Sequence, residues 1–207
     1  MELHNLFVFV VACVLLIISP GPDSLYVSVR SVTQGIRAGI LAGAGVALGT
    51  LMHTLGVILG LAALLQTSAL AFSVVKYAGA LYLVWMGIGV LRNGKKETTL
   101  SKSSKVLSAK KLFMQGFITN VLNPKVALFF VSFLPQFTVP SQPLIPQLLG
   151  MGVLFCLLTI AWLSLLAWLV VSSKVWLGLK EKGGKSLQWL TGSVLIALGI
   201  KLAFAKQ

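Results

Sequence analysis

Two of the charged side chains inside long apolar runs, Asp23 and Lys125, stand out by what surrounds them. A bare charge at bilayer depth costs roughly 2.5–3.5 kcal/mol on the insertion scale, so such residues mark a pathway, a relay or a paired contact. Each lies beside a helix-breaking sequence. Asp23 closes the run Ser19-Pro20-Gly21-Pro22-Asp23, and Lys125 follows Asn120 and Asn123-Pro124. Pro20 and Pro22 remove backbone donors and clash with the preceding turn, and Gly21 between them loosens the chain. Asn123, standing before Pro124, is pushed away from helical geometry, and the amides of Asn120 and Asn123 can satisfy the freed backbone groups. A half-helix N-terminus after such a break offers N–H groups and a positive dipole end to an anion. Lys125 beside one would hold a carboxylate and Asp23 an ammonium, the two ends of an amino-acid zwitterion. Asp23 is also the sole acid inside any apolar run, hence the single carboxylate there for a coupling proton. His53, in Leu51-Met52-His53-Thr54, is either a proton relay or a packed histidine bonded to a backbone carbonyl. The plainer reading of the charges is a structural Asp23–Lys125 ion pair, which explains them but not the two breaks.

The elements that must carry these residues are membrane helices. The chain has 207 residues, 57% hydrophobic and 10% charged, with a mean hydropathy of +0.95. A soluble domain carries about a quarter charged residues, so a soluble enzyme, a disordered tail and a disulfide-stapled domain are all excluded. About 20 apolar residues cross the hydrocarbon, and six segments reach that length: 6–29, 39–65, 69–91, 112–134, 144–171 and 187–204. The run 6–18 reaches only about 20 Å at 1.5 Å per residue, so the first span must continue through its break, which therefore lies at membrane depth. The fourth span is broken likewise at Pro124. The N-terminus has no basic stretch before its apolar run and no Ala-x-Ala site, so it reads as a retained first span rather than a cleaved signal. Cys13 and Cys156 both sit in apolar runs, where cysteine behaves as a small hydrophobe.

Of seventeen Lys and Arg against four Asp and Glu, thirteen fall after the first, third and fifth spans. These are Arg30 and Arg37, seven from Arg92 to Lys111, and four from Lys174 to Lys185. Lys206 alone lies on the opposite side, while Lys76, Lys125 and Lys201 fall within spans. The positive-inside rule then puts the basic loops in the cytoplasm and both termini outside. The loop 92–111 reads as a topology anchor, and nothing calls for nucleic acid. Trp176 and Trp189 suit the membrane interface.

Three spans per half would insert the second half upside down relative to the first. Gly21-Pro22-Asp23 matches Asn123-Pro124-Lys125, Gly43-Ala44-Gly45-Val46 matches Gly150-Met151-Gly152-Val153, and Tyr77 with Gly87-Ile88 matches Trp189 with Gly199-Ile200. The expected fold is an all-α membrane protein, one domain over 1–207, built as two inverted three-helix repeats (1–91 and 112–207) joined by the basic loop 92–111, an arrangement common in secondary transporters. Glycines recur at four-residue spacing in the second span, as close helix packing requires; a sliding surface would use the same pattern.

The segment Ser19-Pro20-Gly21-Pro22-Asp23-Ser24-Leu25-Tyr26, followed by Asn123-Pro124-Lys125 and with a basic loop between, resembles the LysE/RhtB family of bacterial amino-acid exporters over essentially the whole chain. The resemblance implies efflux of amino acids or close derivatives across the bacterial inner membrane, driven by the proton gradient. Lipid and protons are then the partners, no cofactor is needed, and a homo-oligomer stays open. Enzyme motifs such as His-Glu-x-x-His, Gly-x-Ser-x-Gly and the P-loop are absent from the sequence. Two other functions stay open at this point, a non-transporting scaffold or assembly protein and a small-cation exporter.

Overall fold

A computed structural model describes residues 3–67, 106–139 and 141–172, together with helical positions at 77, 81, 84, 85, 88, 193, 196 and 200. The third and sixth spans as continuous segments, Lys76, Lys201, the loop 92–105, Trp176 and, of the third repeat match, Gly87, Trp189 and Gly199 lie outside the described residues. The described elements are helical throughout: α1 (Leu3–Ile18), α2 (Pro22–Gln34), α3 (Ile36–Thr67), α4 (Ala109–Val121), α5 (Pro124–Phe133), a 3-10 helix (Leu134–Phe137) and α6 (Leu144–Ser172). No strand occurs among the described residues.

The two proline sites set where these helices stop. Ahead of Pro22, Gly21 takes an extended conformation as the N-cap of α2, and α1 and α2 bend by 54° at the break. Asn123 caps α5 with its side chain, and the α4–α5 pair bends by 52°. Each pair is apolar and long enough to form one broken span, while Ile36–Gly60 and Leu144–Ser172 qualify unbroken. The described chain therefore holds up to four spans, in the order broken, straight, broken, straight. At 32 residues, α3 is about 48 Å long and exceeds the hydrocarbon thickness. Between α2 and α3 the chain turns at Gly35, whose φ of 85° admits glycine without penalty and whose N–H bonds the Ser31 carbonyl at 2.9 Å.

Two buried clusters hold the helices together. The larger joins Phe9, Cys13 and Leu16 of α1 to Phe129, Phe130 and Phe133 of α5, Phe137, and Leu148, Met151 and Phe155 of α6. Its aromatic rings pack tilted or edge-on, with centroids 4.8–4.9 Å apart at Phe129–Phe133, Phe133–Phe137 and Phe130–Phe155. The smaller joins Val27 of α2, Ala42 and Val46 of α3, and Leu163 and Ala167 of α6. Phe7, Leu59, Leu157 and Trp168 are exposed, an outer surface suited to lipid rather than water. Cys13 and Cys156 are free thiols.

Glycines let α3 and α4 touch backbone to backbone. A Cβ on Gly45 would run into the Phe113 carbonyl, and one on Gly116 into the Ala42 carbonyl. Gly56 and Gly60, farther along α3, have nothing within 4 Å of that position, so only part of the glycine pattern serves packing among the described residues. Because backbone cannot rotate aside, Gly116→Leu is expected to pry the helices apart at a cost of about 3 kcal/mol or more, beyond the usual overpacking range. A lowered unfolding temperature in detergent checks this.

Candidate functional site

The first break frees a carbonyl. In a continuous helix Leu16 O would accept from the N–H four residues on, but that residue is Pro20, which has none. Lys125 takes the place of the missing donor: its ammonium, 8% exposed, donates to Leu16 O at 3.1 Å and to Ser19 O at 2.9 Å. A cation at a helix C-terminus is also favoured by the dipole. Gly21 makes room for it, since a Cβ there would lie 3.0 Å from Lys125 Nζ.

The second break repeats the logic. Asn120 O loses its partner because the residue four on is Pro124. It accepts instead from Asn123 N–H at 2.8 Å and from His53 Nε2 of α3 at 2.9 Å. A carbonyl only accepts, so Nε2 carries the proton. His53 thus makes the backbone contact that the sequence left as one of its two readings. His53→Gln keeps a donor within reach of Asn120 O and is expected to retain most transport, whereas His53→Leu leaves a buried carbonyl short of a partner and costs about 1–3 kcal/mol. Counterflow and thermal unfolding of the two variants check this; loss of transport in both would instead make the imidazole a proton carrier.

The same break holds the acid. Asp23 stands in the first turn of α2, and its Oδ2 accepts from Asn120 Nδ2 and Asn123 Nδ2, both at 2.9 Å. Asn123 also uses its Oδ1 to cap the Lys125 N–H at 3.0 Å, so one asparagine ties the acid to the base. Both amides thus bind the carboxylate and Asn123 alone also serves the break with its side chain, a use of their amides that their sequence spacing did not reveal. Asp23 Oδ1 is shielded from solvent and has no hydrogen-bond partner.

Asp23 and Lys125 do not form an ion pair; each is held by groups from the other half of the chain. Both nevertheless line one cavity, with Leu16, Ile17, Ser24, Asn120, Val126, Phe155, Thr159 and Leu163. It lies between the two apolar clusters, at the level of both breaks. Its volume is about 20 Å³, room for about one water, so an amino acid enters only if the walls part. Of the residues singled out in the sequence, Asp23, Asn120 and Lys125 line it, with Asn123 bonded to Asp23 and Gly21 beside Lys125. Pro20, Pro22 and Pro124 shape the breaks, and His53 braces the second from behind.

One contact set was not foreseen. Tyr26, Arg30 and Gln34 lie four residues apart on α2, a spacing that puts them on one face. The Tyr26 hydroxyl shares its one proton between Leu112 O at 3.0 Å and Gln115 Oε1 at 3.3 Å, and Arg30 Nη2 reaches the same Gln115 oxygen at 3.4 Å. Gln34 exchanges two hydrogen bonds, each 3.0 Å, with the backbone of Leu107. This strip ties α2 to α4 on the side of the break where Arg30 and Lys110 lie.

Known proteins match this architecture along its length. The sequence model of the LysE type translocator family matches residues 14–206. The chain is 31% identical to a homoserine/homoserine lactone efflux protein of Salmonella typhimurium, over 97% of this chain and 96% of that one. It is 29% identical to a leucine efflux protein of Salmonella choleraesuis, over 96% and 94%, and 30% identical to the uncharacterized membrane protein YrhP of Bacillus subtilis, over 96% and 98%. No solved structure matches it. With apolar spans broken at Pro20-Gly21-Pro22 and Asn123-Pro124, and with the family's sequence pattern over nearly its whole length, the chain is a multi-pass membrane protein of the LysE type translocator family.

Proposed function

We propose that the chain exports amino acids or close derivatives from the cytoplasm in exchange for protons, by alternating access around the cavity between the two breaks. The observation that carries this is the unpaired meeting of Asp23 and Lys125 at one cavity. An ion pair would have served structure alone. Here the ammonium of Lys125 is lent to two carbonyls, which a cargo carboxylate displaces in a stronger, charge-assisted contact. The vacant Oδ1 of Asp23 accepts the cargo ammonium. Since cargo and proton compete for the same carboxylate, one is released as the other binds, and the two fluxes run in opposite directions.

The efflux activities printed for the relatives support the direction and the class of cargo. The basic loops support a bacterial inner-membrane orientation with both termini outside. The sequence matches between halves support a single domain of two inverted repeats, in which α1–α2 and α4–α5 are the corresponding broken spans. The Tyr26–Arg30–Gln34 strip then closes the cytoplasmic end. Transport is the protein's whole activity on this reading, with no reaction catalysed and no cofactor.

The test is counterflow in proteoliposomes with labelled leucine and homoserine, with and without a pH gradient across the membrane. Accumulation that grows with a gradient directed against export supports the reading, and no movement of either amino acid overturns it.

A further inference from the structure

We propose that the cargo is an amino acid whose side chain carries no charge, and that the cavity selects it by matching charges one for one. This rests on the export reading above and narrows it. The cavity lining is of two kinds. Asp23, Ser24, Asn120 and Lys125 are polar or charged, and the rest is a mostly apolar wall of Leu16, Ile17, Val126, Phe155 and Leu163 with Thr159 among them. The lining holds one acid, Asp23, and one base, Lys125, and a zwitterion uses both. A third charge, on a lysine, arginine or glutamate side chain, finds no further counter-ion among the described lining residues. The chain has no acid to spare: of Glu2, Asp23, Glu97 and Glu181, only Asp23 lies in an apolar run.

Thr159 is the polar member of that wall. Its hydroxyl proton is committed to Phe155 O at 2.8 Å, which leaves the oxygen as an acceptor. It can receive a side-chain hydroxyl but offers nothing to a carboxylate. The wall therefore accepts aliphatic and hydroxylated side chains and rejects charged ones. An uncompensated charge carried through it costs a factor of roughly a hundred.

The experiment is counterflow by the purified full-length chain with labelled leucine, homoserine, lysine and glutamate in parallel. Leucine and homoserine are expected to exchange, with lysine and glutamate about a hundredfold slower. Lysine or glutamate within a few fold of leucine overturns the proposal while leaving export intact. No exchange of any of the four overturns the export reading itself, and the proposal with it. Thr159→Asp supplies the missing counter-ion and is expected to admit lysine. A Thr159→Asp protein that still exchanges leucine but not lysine takes the wall out of the side chain's path and also overturns the proposal.

Discussion

Asp23→Asn is expected to yield an inserted, folded protein whose export falls at least about a hundredfold. Folding should survive because the asparagine side-chain oxygen can still accept from Asn120 and Asn123, the two contacts that hold Asp23 now. What disappears is the negative charge. The cargo ammonium then faces a neutral amide, a loss of about 3 kcal/mol for a cation at membrane depth, which is on the order of a hundredfold. The coupling proton also loses its carrier, since an amide does not titrate. Export should therefore become insensitive to an imposed pH gradient as well as slow. Thermal unfolding near that of the native chain, together with abolished counterflow, is the expected pair of results. Gradient-driven export retained in this variant would put the proton elsewhere in the chain.

Lys125→Met should damage both stability and transport, and the two effects can be separated. The buried carbonyls of Leu16 and Ser19 lose their donor, and an unpaired buried group costs about 1–3 kcal/mol. Unfolding in detergent is thus expected to fall by several degrees, and transport to vanish with the positive charge. Lys125→Arg keeps the charge and enough donors for the carbonyls. Its planar guanidinium is bulkier than an ammonium, however, and Gly21 already leaves little space at that point. The arginine variant is expected to regain stability more than transport. Equal recovery of both would make the lysine a structural plug for the Pro20 break and nothing more.

Much of this arrangement is written in local sequence. Pro20, Pro22 and Pro124 break helices through backbone chemistry that needs no partner, and the structure bends at both places. Asp23 and Lys125 stand out because charge at bilayer depth is expensive wherever it falls. The partners were less legible. That Lys125 serves Leu16 O follows from a proline four residues past that carbonyl, but only once α5 is known to pack beside the end of α1. The identity of the donor is a tertiary fact. The same holds for His53 and Asn120, 67 residues apart. An ion pair between the two charges was the simplest expectation, yet each is better satisfied by neutral groups of the opposite half. Thr159 carried no signal at all. A lone threonine in an apolar helix is ordinary, and its place in the wall depends on which face α6 turns inward.

The most direct measurement is a thermodynamic cycle between trimmed ligands and trimmed side chains, read by binding to the purified protein. Leucine, 4-methylpentanoate without its ammonium and leucinol without its carboxylate are titrated into native, Asp23→Asn and Lys125→Met proteins. If the two charges grip opposite ends of one cargo, removing the ammonium should weaken binding at least tenfold in the native protein and hardly at all in Asp23→Asn. Removing the carboxylate should do the same for Lys125→Met. Ligand and side-chain deletions that add independently would mean that these residues and the cargo never meet.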